Sequence, residues 1–534
     1  IAKALEEVFA ARLADHAVEL AEHFSHSTNP EDLSKAVQFG QMAAERAASV
    51  FDYGEAVRLL QQTLQVQEVL DPGDKTKKAE LLLDLSEALV NAGEPRQALN
   101  TELPVAFAMA ESAEDEEIAW RSCELAMLAL LYWEGGTTNI WASEEGRLWI
   151  ERADRYAKPN TSRARMDFML GIVTYSTGLA TSSSDQLKTG SLMMSQAVEQ
   201  VRKLGNNKDN YLTIPFWLCT GSTPQGFEER LKITEEMSRR TRQGIHLQWV
   251  LPSLLLVGNT FLEYEQRQRC EDLWNESHKL SEQTRQGNAL IYSLAFRAIL
   301  RTMDGRLDEA IKETNDILSN GAELGLQTFA NWAWHFSGMR VNYLIGNIER
   351  LLKFLPPPPQ TMNLRALFLS ALNRKDEARG ILDNMLKWRP NIGTTDDYLW
   401  YWVDVVNLEA AVLVGHHRAA EALVRQLSGR TPNITGYYYT TCVPRHLGSA
   451  AAMLGRPEEA RNYYHEAIKV ASNVGFRPEI ALTRFQLAEL LFEHFPREKT
   501  EAITHLDFAI EEFKEMKMQP SLEKAGKLKA KHGL

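Results

Sequence analysis

With 534 residues, 44% of them hydrophobic, and a formal net charge of −12, the chain has the composition of a folded protein and lacks the basic excess needed to hold nucleic-acid phosphates. Its cysteines, Cys123, Cys219, Cys270 and Cys442, stand far apart with no Cys-x-x-Cys pair, which excludes a disulfide framework or zinc-finger spacing and fits reduced, cytoplasmic thiols. No apolar run reaches the length of about 18 residues that spans a bilayer and no secretory leader is visible, so neither nucleic acid nor membrane is an expected partner.

Residues 1–28 read as an N-terminal helix, and because Ile1 rather than Met comes first they are expected to follow a missing upstream domain. His16 and His23 share a face of that helix with His26 nearby, but the helix should end before Asn29-Pro30 and scatter them, so no metal site is expected. Residues 29–355 form a first block of repeats, with helical periodicity broken by Gly, Asn or Pro at intervals of roughly 15–20 residues. Gly93 leads to Ala98 five residues on. The run Glu114-Asp115-Glu116-Glu117 reads as an acidic helix start that complements the helix dipole. Gly146, Ile150 and Ala153 mark a second helix of a hairpin, and Leu170-Gly171 opens another whose turn the polar run Thr181-Ser182-Ser183-Ser184-Asp185 should lengthen. Val257-Gly258, Phe261, Cys270 and Trp274 keep the same spacing with Cys as the small residue, and Gly305 leads to Ala310.

The helix through Leu351-Leu352-Lys353-Phe354-Leu355 is cut by Pro356-Pro357-Pro358-Pro359, which favours a stiff extended linker over helix. A second block covers 360–515: Asn373 leads to Ala378 and Gly415 to Ala420, each with a proline twelve residues after the alanine (Pro390, Pro432), and Gly455 leads to Ala460. His416-His417 in the Gly415 turn should be solvated. Leu487-Ala488 with Ala502, Leu506 and Ala509 gives a last hairpin with a lengthened turn, and 516–534 a capping helix centred on 521–534.

The best-preserved copy is Leu447-Gly448, then Ala460, Tyr464 and Ala467. It resembles the tetratricopeptide repeat, in which a small residue on each helix lets the backbones cross closely and aromatics fill the remaining gaps; Ala451 stands where the first aromatic is usual. The resemblance implies an all-α superhelical solenoid of about twelve helical hairpins between residues 29 and 515, a fold that is usually built to bind.

A second resemblance lies at the ends. His23-Phe24, Lys35-Ala36-Val37, Ala43-Ala44, Ala47 and Tyr53-Gly54-Glu55-Ala56-Val57-Arg58-Leu59-Leu60 look like the start of the repeat region in bacterial multidomain signal-transduction ATPases, both maltose-regulator-like proteins and adenylate/guanylate cyclases with an AAA-type ATPase. The ending Met516-Lys517-Met518-Gln519-Pro520-Ser521-Leu522-Glu523-Lys524-Ala525 is similar to that of the cyclase-linked members. The likeness implies a non-catalytic sensor and scaffold region whose concave groove binds a protein or peptide partner or a small-molecule inducer. A free-standing interaction adaptor and the repeat region of a transcriptional regulator are the alternatives. No Gly-x-x-x-x-Gly-Lys-[Ser/Thr] occurs, so this stretch supplies no P-loop, and neither a cofactor motif nor a catalytic motif such as Gly-x-Ser-x-Gly or His-Glu-x-x-His is present.

Aromatics crowd residues 330–440 (among them Trp332, Trp334, Trp400 and Tyr437-Tyr438-Tyr439), and most are expected to pack between hairpins. With Ala310, Leu351, Ala420 and Ala460 as crossing residues, the first helices project Tyr292, Arg340, Tyr343, Trp402, Glu409 and Arg445 toward the groove. Aromatic faces beside arginine forks suit a peptide, nucleotide-like or sugar ligand.

Overall fold

The computed structural model describes residues 2–10, 12–50, 52–133, 143–159, 162–221, 223, 226–243, 245, 247–284, 287–355, 362–429 and 432–534. The proline run 356–359 lies outside them. The described chain is all-α, built of antiparallel helical hairpins of the tetratricopeptide kind, with a single isolated bridge, Ile434 to Cys442, as its extended pairing. It divides into two compact units, Ile1–Met169 with Thr284–Gln286, and Leu170–Gln283 with Gly287–Leu534.

In the first unit the sequence writes the helix ends plainly. Asn29, Asp52, Asp74 and Ser143 each accept a hydrogen bond from a backbone N–H in the first turn of the helix that follows, satisfying donors that the helix leaves open. Asp115 of the acidic run does the same for Glu117 and Ile118, ahead of helix Glu116–Trp133. Residues before Asn29 form two separate helices, Ala2–Val8 and Ala17–Ser25, rather than the single one expected. Between them His16 stacks on Phe9, with ring centroids 3.6 Å apart, so this histidine is a packing residue. No cluster of His, Cys, Asp or Glu among the described residues could hold a metal.

The turn-plus-alanine rule holds in three dimensions. Gly93, Gly305, Asn373, Gly415 and Gly455 all take left-handed backbone, which ends one helix and reverses the chain. The alanines five residues on (98, 310, 378, 420, 460) are fully buried at helix crossings. At the same crossings, a Cβ on Gly258 would come within 2.5 Å of Trp274 Nε1, and one on Gly448 within 2.7 Å of the Tyr464 ring. Tyr464 therefore seats on Gly448 of its own hairpin while its other side joins Leu487 and Ala502 of the next.

In the second unit, first helices pack both on their own partner and on the first helix of the next hairpin. Gly287–Met303 contacts Leu307–Glu323 and Gln327–Leu344, and Tyr401–Val414 contacts His417–Leu427 and Val443–Met453. This two-neighbour rule generates a solenoid. The polar run at 181–185 does not lengthen its turn: only Ser182 is left-handed, and Ser183 already caps helix Ser184–Leu204 through Gln186 N.

Successive turns of this superhelix touch. Ser184 donates to Trp388 O across 204 residues, Lys188 pairs with Asp396 across 208, Arg267 donates to Val474 O across 207, Asn473 donates to Glu265 across 208, and Lys517 pairs with Asp308 across 209. A nearly constant offset means one superhelical turn for about six repeats of the usual length. The final helix, Gln519–Lys531, closes the stack, with Met516 against Gly305 and Pro520 against Gly346.

Gly448→Ala should lower stability by about 1–3 kcal/mol through overpacking against Tyr464. Denaturant titration of Gly448→Ala, Tyr464→Leu and the pair should give strongly non-additive losses; additive losses would contradict this crossing.

Candidate functional site on the inner face of the second unit

Between helices His417–Leu427 and Val443–Met453 the chain leaves helical structure. Residues 432–443, Pro-Asn-Ile-Thr-Gly-Tyr-Tyr-Tyr-Thr-Thr-Cys-Val, are rich in β-branched and aromatic side chains and bounded by Pro432 and Pro444, so they resist helix at both ends. Their backbone forms a short loop closed by Thr435 N to Thr441 O (3.0 Å) and Val443 N to Asn433 O (2.8 Å). This loop runs along the inner face of the superhelix as a strap.

Five inner helices receive it. On Asn207–Thr220, Cys219 Sγ lies 3.8 Å from the Tyr437 hydroxyl. On Leu247–Glu263, Asn259 Oδ1 accepts from Tyr437 N at 2.6 Å. On Gln327–Leu344, Phe336 meets Tyr437 edge-on at 4.9 Å and Arg340 donates to the Tyr439 hydroxyl at 2.7 Å. On Tyr401–Val414, Tyr401 donates to Ile434 O at 2.8 Å, and Glu409 accepts from Tyr439 at 3.2 Å. On Arg477–His494, Glu479 accepts from the Thr441 hydroxyl at 2.8 Å.

Around Thr441 sits a buried ion cluster. Arg445 Nε donates to Glu479 at 2.6 Å, Arg340 pairs with the same carboxylate, and Glu409 lies 4.0 Å from Arg340 and 3.9 Å from Arg445. Burial alone would raise the Glu479 pKa, but Arg445 and Arg340 outweigh it and hold the carboxyl far below the usual range. The His446 pKa is lowered too: burial, then the Arg445 charge, bring it down to about 3, so the imidazole is neutral. Both the Thr441 hydroxyl (2.9 Å) and Arg445 Nη2 (3.0 Å) meet His446 Nε2, and Nδ1 lies 3.9 Å from Glu409. Two arginines against two glutamates, with a neutral histidine, sum to zero.

Two further buried ion pairs flank this cluster. Arg230 pairs with Glu263 at 2.7 Å and donates to Leu218 O, and Arg389 pairs with Asp397 (2.5 Å) and Asp404 (2.7 Å). A cavity of ≈ 10 Å³, measured as space open to a water centre, lies between Arg230–Glu263 and the ring pair Trp402–Tyr438. That is room for about one water.

Of the residues projected into the groove, Arg340, Tyr343, Glu409 and Arg445 come together in the ion cluster, with Tyr343 half-buried and its ring 6.0 Å from that of Tyr439. Trp402 is on the same wall, stacked between Trp400 (6.0 Å) and Tyr438 (5.0 Å). Tyr292 stands apart, packed edge-on against Phe329 at 5.1 Å. The polar groups of Arg340, Glu409 and Arg445 are engaged by the chain's own strap and helices. Glu479, Thr441 and His446 escaped sequence reading as site residues and Tyr439 was read only among the crowded aromatics, although a β-propensity run between two prolines inside a helical array was the available signal. His416 corrects the expectation of a solvated turn: it caps its helix by accepting from Ala419 N and reaches Asp383 at 3.2 Å.

No family model and no curated protein matches the sequence. Among solved structures, a chain of the crystal structure of the APC/C hetero-tetramer Cut9-Hcn1 is similar at 13% identity and a TM-score of 0.44, over 98% of this chain and 94% of that one. A circular tandem repeat protein with novel repeat topology matches at 13% identity and a TM-score of 0.12, over 98% of each chain. At these scores neither carries a functional argument; the fold assignment rests on the hairpin packing. No described helix is long and apolar enough to cross a membrane.

Glu479→Gln should cost about 3–5 kcal/mol, because it leaves two buried arginines under-compensated. Acid should weaken the same cluster. The His446 pKa is lower folded than unfolded, so between about pH 6.5 and its folded value of about 3 the unfolded chain binds the extra proton and stability falls as pH falls. Relative to His446→Gln, wild-type stability should therefore decline by up to ~1.4 kcal/mol per pH unit in that window. Parallel pH profiles would contradict a buried neutral His446.

Proposed function

We propose that this chain is a non-catalytic protein-interaction scaffold, the sensor and repeat region of a bacterial signal-transduction ATPase of the cyclase-linked kind. The observation that supports the scaffold reading is the inner face of the second unit: side chains from five helices of different hairpins hold a non-helical polypeptide loop, the chain's own. Its acids and bases are paired with one another, an arrangement suited to gripping chain rather than to turning over a substrate. The ATPase reading is supported by the resemblance of both ends, His23 to Leu60 and Met516 to Ala525, to the repeat regions of such proteins. A protein, peptide or small-molecule signal acts on an attached module only through different affinities for its two states.

The reading frame upstream of Ile1 tests this directly. It is expected to encode a Gly-x-x-x-x-Gly-Lys-[Ser/Thr] module, and ATP turnover by that longer protein should change several-fold on signal binding, a response lost when residues 170–534 are deleted. A frame without the module, or turnover indifferent to the deletion, would contradict the ATPase assignment.

A further inference from the structure

The strap and the wall that holds it are chemically matched in a way that specifies a ligand. Residues 434–442 carry no formally charged side chain, and their polar contacts with the wall run mainly through hydroxyls. The Tyr439 hydroxyl accepts from Arg340 and donates to Glu409; the Thr441 hydroxyl donates to Glu479 and accepts from Arg340 (3.3 Å) and Arg445 (3.2 Å). A wall of two arginines and two glutamates demands groups that accept and donate at once, which a hydroxyl does and a carboxylate, phosphate or ammonium does not. An anion would satisfy the arginines but meet Glu409 and Glu479; a cation would meet the reverse. Tyr439 and Thr441 are two residues apart on the arm of the loop that follows the turn at Tyr437-Tyr438, and both hydroxyls reach the wall.

The strap is closed by its own backbone pairs and by the Thr435 hydroxyl, which donates to Tyr439 O and accepts from Thr441 N, and helix side chains grip it from outside, so the helical ladders do not depend on it. Gly436 lies so close to the wall that a Cβ there would come within 2.5 Å of Asn259 Oδ1 and Glu263 Oε1. The fit is also incomplete, because Arg340 Nε is buried with no hydrogen-bond partner. On its N-terminal side the strap follows Gly429, left-handed with open space around its Cα, a natural pivot.

We infer that this inner wall is a peptide site occupied in cis by residues 434–442, and that in their place it takes in trans an uncharged segment, looped as they are, with a tyrosyl and a threonyl hydroxyl two residues apart. The inference rests on the scaffold reading and names the class of partner. The in-trans segment uses the same wall: Arg340 and Glu409 on the phenol, Glu479 and Arg445 on the threonine, and the Trp402 face on the aromatic that precedes them.

The test uses the full chain and a fluorescein-labelled peptide of sequence 433–443, with Cys442→Ser in the peptide. Gly436→Ala in the protein wedges the cis strap off the wall and should raise affinity for this peptide at least tenfold over wild type. Tyr439→Phe in the peptide should lose about tenfold, and a Tyr439-phosphorylated peptide should bind no better than the Phe form. Equal weak binding of every peptide to both proteins, or tightest binding by the phosphopeptide, would overturn the inference. If Gly436→Ala loses helical circular dichroism, native-state hydrogen exchange of the wild type decides. Amides of 435–442 should then open at lower free energy than those of Tyr401–Val414 and Val443–Met453. Exchange of all three only by global unfolding would overturn the cis-site. Because the scaffold reading is tested by ATP turnover in the longer protein, it can survive failure here.

Discussion

The carboxylate of Glu479 is the constraint on which the second unit depends. It is fully buried between Arg340 and Arg445 and is reached by the Thr441 hydroxyl, so one group joins three helices from different hairpins to the strap. Taking two arginines and two glutamates out of water is costly, and the cost is met only when every remaining lone pair and N–H finds a partner. Tyr439, Thr441 and His446 provide such partners, and Arg340 Nε is left buried without one. The cluster thus ties the strap to the helices, since removing the strap takes hydroxyl partners from buried charges and separating the helices breaks the ion pairs themselves.

Closure also depends on contacts far apart in sequence. The turn-to-turn pairs, Lys188 with Asp396 and Lys517 with Asp308, are largely exposed, and pairs of that kind contribute little each. The apolar contacts beside them, Met516 under Gly305 and Phe513 in one cluster with Leu307 and Val341, add buried area and fix the register. With a turn of about six repeats, the strap along its inside sits against Arg230, Glu263 and Trp402 with a small cavity between them. A partner that uses Arg340, Glu409 or Arg445 must therefore do so in competition with the chain itself.

How much of this was legible in the sequence follows from the range over which each rule acts. A left-handed turn residue and a small residue five positions on are local requirements, and Gly93, Gly305, Asn373, Gly415 and Gly455 announced their hairpins without ambiguity. The same spacing carried Arg340, Tyr343, Glu409 and Arg445 to one wall, because helix phase within a repeat is local too. What fills the wall was not legible, since it depends on accumulated superhelical twist over some 200 residues, which no single repeat encodes. Tyr437-Tyr438-Tyr439 read as aromatics packing between hairpins because helical periodicity gave no hint that the backbone had left the helix. His416 misled for a smaller reason: beside Gly415 it looked solvated, yet a ring nitrogen serves as a helix cap as well as Ser or Asp would.

The central claim is that the strap is seated on the Glu479 cluster, and a double-mutant cycle between Thr441→Val and Glu479→Gln measures that seating most directly. Val keeps the shape of Thr while removing its hydroxyl, and the two residues lie 38 positions apart. Denaturant unfolding of the four proteins should give a coupling of about 1–3 kcal/mol. Losses that add to within about 0.5 kcal/mol would mean that the hydroxyl and the carboxylate do not meet, and the account of a self-filled inner face would fall with them.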